Sequence, residues 1–164
     1  MILDCRKPVL LEKSPPNSAK TRWLQKHFEN AHFVGIVRNP YAVSEGITRK
    51  ADPKHLINSW PIEMSAYQWM RSNQILQQDA EYLKRFMWIK YEDLAEDTVG
   101  ALNKITEFVG VEGFDNFEAG RHWSIHERNE HVRNMNAESI KRLTPEQIET
   151  ITRVAGEMIN AFGY

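Results

Sequence analysis

The sequence has one cysteine, Cys5, so no internal disulfide can form and nothing asks for an oxidising compartment. It has no surplus of either charge: 21 Lys and Arg stand against 22 Asp and Glu, a formal net charge of −1. Broad binding to nucleic acid or to an anionic membrane needs a basic excess, so neither is expected as a partner, although a local basic pocket is allowed. No apolar run approaches the roughly 20 residues of a membrane span. The start, MILDCRKPVLLEK, has no basic segment followed by an apolar stretch long enough for a signal peptide. Cytoplasmic is therefore the default location. Glycine is missing early, since none of the 8 precedes Gly35. Internal repeats and low-complexity tracts are absent as well.

What is present is an ordinary globular composition, 41% hydrophobic and 26% charged. A chain of 164 residues is long enough for a single domain, 1–164, with a real core. VLLE, 9–12, reads as a short buried strand. SPPN follows as a turn, and Asn17 or Ser18 caps a helix to about His27, with Trp23, Leu24, His27 and Phe28 near one face. FVGIV, 33–37, is a second strand, and Pro40 suits the first turn of the next helix because its missing N–H costs nothing there. Ser59 caps a long helix to about Leu83, with Pro61 in its first turn. In that helix Trp60, Met64, Tyr67, Trp69 and Met70 read as core and interface positions rather than a substrate platform. FMWIKYED, 86–93, is a third strand, and Thr98 to Val109 a helix. From Gly110 to Met135 there is no clear period. Thr144-Pro145-Glu146-Gln147 is a capping box that opens a last helix, which buries Ile148, Ile151, Ala155, Met158, Ile159 and Phe162 and ends at Gly163.

Strands alternating with helices at this spacing predict an α/β fold, a parallel sheet covered by helices on both faces. Ligands of such folds bind beyond the carboxyl ends of the strands. Lys13, Arg38 and the group Tyr91-Glu92-Asp93 each fall just past a predicted strand. An arginine there, beside a helix N-terminus, can grip a phosphate with two N–H groups while the helix adds partial positive charge. Ser44, one turn into that helix, can add a hydroxyl, and Lys13 a second cation. The plainer alternative stays open: Arg38 pairs with Asp93 or Glu92, Asn39 caps a helix, Asp93 caps a turn and Tyr91 packs. Glu12 reads equally as a base or as an ion-pair partner of Lys13.

LLEKSPPN, FVGIVRNPYAVSEG and KYEDLAEDTVGALNKITEFVGV, in this order and spacing, resemble the sulfotransferase superfamily. The closing LTPEQIETITRVAGEMINAFGY is similar to the C-terminal helix of its bacterial and carbohydrate-acting branches. The resemblance implies a P-loop-NTPase-like sulfotransferase fold and 3′-phosphoadenosine 5′-phosphosulfate (PAPS) as sulfuryl donor. It implies that Arg38 and Ser44 bind the 3′-phosphate, that Tyr91 contacts the adenine and that Lys13 approaches the transferred sulfate. Arg128 and Arg133 fall near the basic residues that close the 3′-phosphate site in family members. Sulfuryl transfer resembles phosphoryl transfer, so positioning and positive charge carry the catalysis, with Lys13 as the charge-stabilising residue.

The pattern breaks at the front. The family opens with a strand and a glycine-containing loop that holds the 5′-phosphosulfate, whereas residues 1–8 contain no Gly, Ser or Thr. The position of the usual histidine base is Pro15. The expectation is thus an N-terminally truncated domain, the C-terminal three-quarters of the fold. Its sulfuryl acceptor, a hydroxyl or an amine, has no sequence signature. The alternative is a non-catalytic remnant that binds adenosine 3′,5′-bisphosphate (PAP) weakly. A P-loop kinase or nucleotidase is disfavoured by the lack of a Walker-type loop. An uncovered sheet edge would favour a homodimer. HWSIHERNEH, 122–131, misses the zinc-protease patterns by one residue each and reads as a polar loop, so no metal is expected.

Overall fold

The runs Phe33–Val37 (β1) and Phe86–Lys90 (β2) form strands and pair parallel, Phe33 opposite Phe86 and Val37 opposite Lys90. They belong to a computed structural model that describes residues 9–50, 60–113, 123–125 and 128–164. The helices are Thr21–His27 (α1), Pro40–Lys50 (α2), Ile62–Ala80 (α3), Tyr91–Glu96 (α4), Thr98–Val109 (α5), Asn136–Ile140 (α6) and Pro145–Phe162 (α7). Helices α3 and α7 pack on each other and on the sheet around Val37, Ala66, Trp69, Ile151, Ala155, Met158 and Ile159. This is a mixed α/β arrangement, a small parallel sheet flanked by helices.

Several boundaries follow from local chemistry. Asn39 caps α2: its Oδ1 accepts the N–H groups of Tyr41 (3.0 Å) and Ala42 (3.2 Å). Thr144 and Gln147 make the reciprocal capping box of α7, and Gly163 closes that helix at φ +68°. Helix α5 spans the predicted residues, and Asp97 is its cap, accepting from the Gly100 N–H at 2.9 Å.

Four expectations are corrected. Residues 9–12 form no strand. They run exposed, with Leu11 89% accessible, because no ladder partner pairs with them among the described residues. The helix expected from Asn17 or Ser18 is split into a 3-10 turn, Pro15–Ala19, and α1, broken at Lys20 (φ −129°, ψ 7°). Trp23 and Phe28 are exposed, and Trp23 stacks on His27. Strand β2 ends at Lys90; Tyr91 starts α4, whose first turn carries Glu92 and Asp93, acids that suit a helix N-terminus. Part of the expected polar loop pairs instead: Trp123–Ile125 (β3) runs antiparallel to Arg128–Glu130 (β4). His122, His126 and Ser59 lie outside the described residues.

Two smaller differences concern burial. Ile148, predicted to be buried, is exposed at the first turn of α7, and Met64 and Tyr67 of α3 are exposed too. The sheet is covered unevenly: Ile89 of β2 is buried, while its neighbour Ile36 is 53% accessible. No helix among the described residues is long and apolar enough to cross a membrane.

Candidate functional site

Arg38 is the first residue after β1, where the strand gives way to the cap of α2. Its backbone carbonyl accepts the indole N–H of the buried Trp69 at 2.9 Å, which fastens the strand end to α3. Its guanidinium lies over the Tyr91 ring, Cζ 4.2 Å from the centroid, and its Nε–H donates to Asn136 Oδ1 at 2.8 Å. No carboxylate pairs with it among the described residues, and neither terminal nitrogen has a hydrogen-bond partner there. The charge of Arg38 is therefore held in place without a neutralising partner among the described residues.

Glu92, one of the two carboxylates that could pair with Arg38, is committed elsewhere. Its Oε1 accepts from the Asn39 N–H (3.0 Å) and from Asn136 Nδ2 (2.5 Å), and its Oε2 accepts from the Tyr164 hydroxyl (2.8 Å). Burial pushes the Glu92 carboxyl up, but the bonds from Asn39, Tyr164 and Asn136 outweigh it and hold the group below its ordinary value. Burial, and then the Glu92 carboxylate it donates to, pushes the Tyr164 phenol well above the usual range. Tyr164 also lies beneath Lys90, whose Nζ is 4.9 Å from the ring centroid.

Tyr91 is fixed at both ends. Its ring carries Arg38, and its hydroxyl donates to the Arg133 carbonyl (2.9 Å) while accepting the Met135 N–H (3.1 Å). Arg133 thus approaches the site through its backbone, and its guanidinium pairs with Glu138. Arg128 lies in β4.

Beside Arg38 a groove of about 550 Å³ runs along α2. It is lined by three cations, Arg38, Arg49 and Lys50, and by apolar surface from Val43, Ile47 and Trp60. The helix positions on it share one face of α2. Ser44 lies on the other side of that helix: it is fully buried, and its Oγ has no hydrogen-bond partner among the described residues. The indole N–H of Trp60 is the second buried polar atom left without a partner among the described residues.

Lys13 is exposed in the extended segment before the 3-10 turn and makes no hydrogen bond or ion pair among the described residues. Glu12 beside it accepts from Asn17 Nδ2 at 3.3 Å rather than pairing with Lys13. The structure therefore brings Arg38, Tyr91 and the backbone of Arg133 together, while neither Lys13 nor Ser44 hydrogen-bonds to that cluster among the described residues or lines the groove. Asn136 and Tyr164 are the residues that sequence reasoning missed. An Asn just past the aperiodic stretch and a terminal Tyr carry no signal by spacing.

The candidate site is thus an arginine just past a strand end of a small parallel sheet, with no carboxylate partner among the described residues, beside a groove lined by three cations. Residues 2–116 match the sulfotransferase family, and the chain belongs to that family. Its members are generally PAPS-dependent. The fold is similar to the solved sulfotransferase domain from the curacin biosynthetic pathway, with a TM-score of 0.67 and 22% identity over 92% of this chain and 62% of that one. The chain spans less than two thirds of that domain's length. No curated protein matches it.

Proposed function

We propose that this chain is a sulfotransferase domain that binds PAPS through its 3′-phosphate at Arg38 and directs a sulfuryl group to a hydroxyl or amine acceptor. The observation that carries this is Arg38 itself, oriented by Tyr91 and Asn136 and left without a carboxylate partner among the described residues. A guanidinium whose two terminal nitrogens are unsatisfied is a two-pronged donor for a phosphate. Arg49, Lys50 and the unpartnered indole N–H of Trp60 along the same groove fit an anionic, ring-bearing ligand.

Bound PAPS supplies an activated sulfuryl group with PAP as its leaving group. The chain's own part is to hold that ligand by its phosphate and adenine ends. Arg38 anchors the 3′-phosphate, and Tyr91 offers its remaining ring surface to the adenine, with Arg133 at the rim. Ser44 is a weaker contributor, because its hydroxyl is buried away from the groove. Lys13 is assigned to the developing charge on the transferred sulfate by family resemblance.

A second reading, a non-catalytic PAP-binding domain, is favoured by the exposed position of Lys13 outside the groove lining. Calorimetry with PAP and a sulfuryl-transfer assay separate the two. Binding that is lost in Arg38→Ala, together with turnover that is lost in Lys13→Ala, supports the enzyme. Binding without turnover supports the second reading. Equal heats from wild type and Arg38→Ala, or none from either, remove the phosphate assignment.

A further inference from the structure

Asn136, 8% accessible, begins α6. Its side-chain amide has two ends of opposite chemistry, an oxygen that only accepts and a nitrogen that only donates. An ionised Glu92 has no proton to donate, so it can face only the nitrogen, and that orientation presents the oxygen to the Arg38 Nε–H. Glu92 in turn is held by the Asn39 N–H and by Tyr164, the last residue of the sequence.

We propose that Asn136, oriented by Glu92 and Tyr164, is a positioning residue that aims the Arg38 guanidinium at an anionic ligand without neutralising it. The role rests on the phosphate-binding function of Arg38 proposed above. A carboxylate in place of Asn136 would hold Nε equally well, but it would compete with the phosphate for the guanidinium's charge. A neutral amide separates the two jobs. It fixes the plane of the guanidinium over Tyr91 and leaves the terminal nitrogens to the ligand. The negative charge that Asn136 answers to is Glu92, one residue removed from the arginine and already occupied by three donors.

The test is calorimetry of PAP binding to the full chain. Asn136→Ala is expected to weaken binding at least about tenfold, the effect of losing a hydrogen bond to a charged group. Asn136→Asp keeps an acceptor for Nε yet should also bind more weakly. Its deficit should grow as pH rises through the new carboxyl's titration, a dependence that wild type lacks. Wild-type affinity in both Asn136 variants, with binding lost in Arg38→Ala, overturns the positioning role and leaves the phosphate assignment standing. Wild-type affinity in Arg38→Ala overturns the assignment, and the positioning role with it. Should Asn136→Ala fail to fold, the Arg38 Nε–H resonance of the ligand-free protein decides. It should exchange slowly with water in wild type and faster in Tyr164→Phe, and equal rates overturn the relay.

Discussion

At Gly35 a Cβ would come within 2.7 Å of Trp88 Cε3 and 3.1 Å of Phe86 Cζ, so the absent side chain is what lets the Trp88 ring lie across β1. Trp88 meets Phe86 and Phe162 edge to face, with centroids 5.1 and 5.0 Å apart. Gly35→Ala should therefore overpack the sheet and cost roughly 1–3 kcal/mol, read as a lower urea midpoint with an unchanged slope. The same β1 ends at Val37, just before Arg38, so the strain would act three residues from the candidate site. An Arg38→Lys change at that site is not conservative. An ammonium keeps the charge but has neither the Nε–H that Asn136 accepts nor the planar face that stacks on Tyr91, so PAP affinity should fall well below wild type in calorimetry.

Among the elements, α2 is the one whose placement the site depends on, since it forms the groove wall. It is clasped through Glu45, only 6% accessible, which accepts from Arg142 Nε (2.7 Å) and Nη2 (3.0 Å) and from Arg49 Nε (2.8 Å). Arg142 follows α6, so this two-pronged pair ties the groove helix to the segment that carries Asn136. The Arg142 hydrogen bonds, with help from Arg49, hold the Glu45 carboxyl below its ordinary value of 4.5 despite burial. A depressed carboxyl contributes stability that is present above its unfolded value and is lost as pH falls through its folded value. Glu92 is lowered in the same direction, so both act in one acidic window. The melting temperature should fall as pH drops below about 4.5, the ordinary value for both groups. Glu45→Gln should cost about 1–2 kcal/mol near neutrality and flatten that acid limb, because Arg142 is itself partly solvated. A thermal-melt series from pH 3 to 7 on both proteins checks the sign. An acid limb equally steep in Glu45→Gln would exclude the clasp as its source.

For the whole molecule, the uneven cover of the sheet matters most. Ile36 on β1 is 53% accessible, and Leu10 and Leu11 are exposed in the segment that was expected to be a strand. Apolar side chains exposed on a strand or an unpaired segment are a known route to self-association. We propose a homodimer that buries this surface. Light scattering over a concentration series should show a mass that rises toward twice the chain's 19.2 kDa, and Ile36→Lys should return it to a monomer. A constant monomeric mass for wild type would remove the proposal.

The sequence by itself determined the elements whose signals are local. The apolar run at 33–37, the Pro40 start of α2, the Thr98–Val109 helix and the capping box of α7 formed as read, and the strand read at 86–93 formed over its apolar part, 86–90, because a cap or a period acts within one turn of chain. It also placed Arg38 at the mouth of the sheet, since a charged residue right after an apolar run marks the strand's end. Only the tertiary structure decided what surrounds that arginine. Asn136 reaches it from 98 residues away and Tyr164 reaches Glu92 from 72, contacts that no local pattern encodes. The same holds for VLLE, 9–12, which has the composition of a strand but no ladder partner among the described residues. A helix satisfies its backbone from within, whereas a strand or an ion site is completed by residues that only folding brings near.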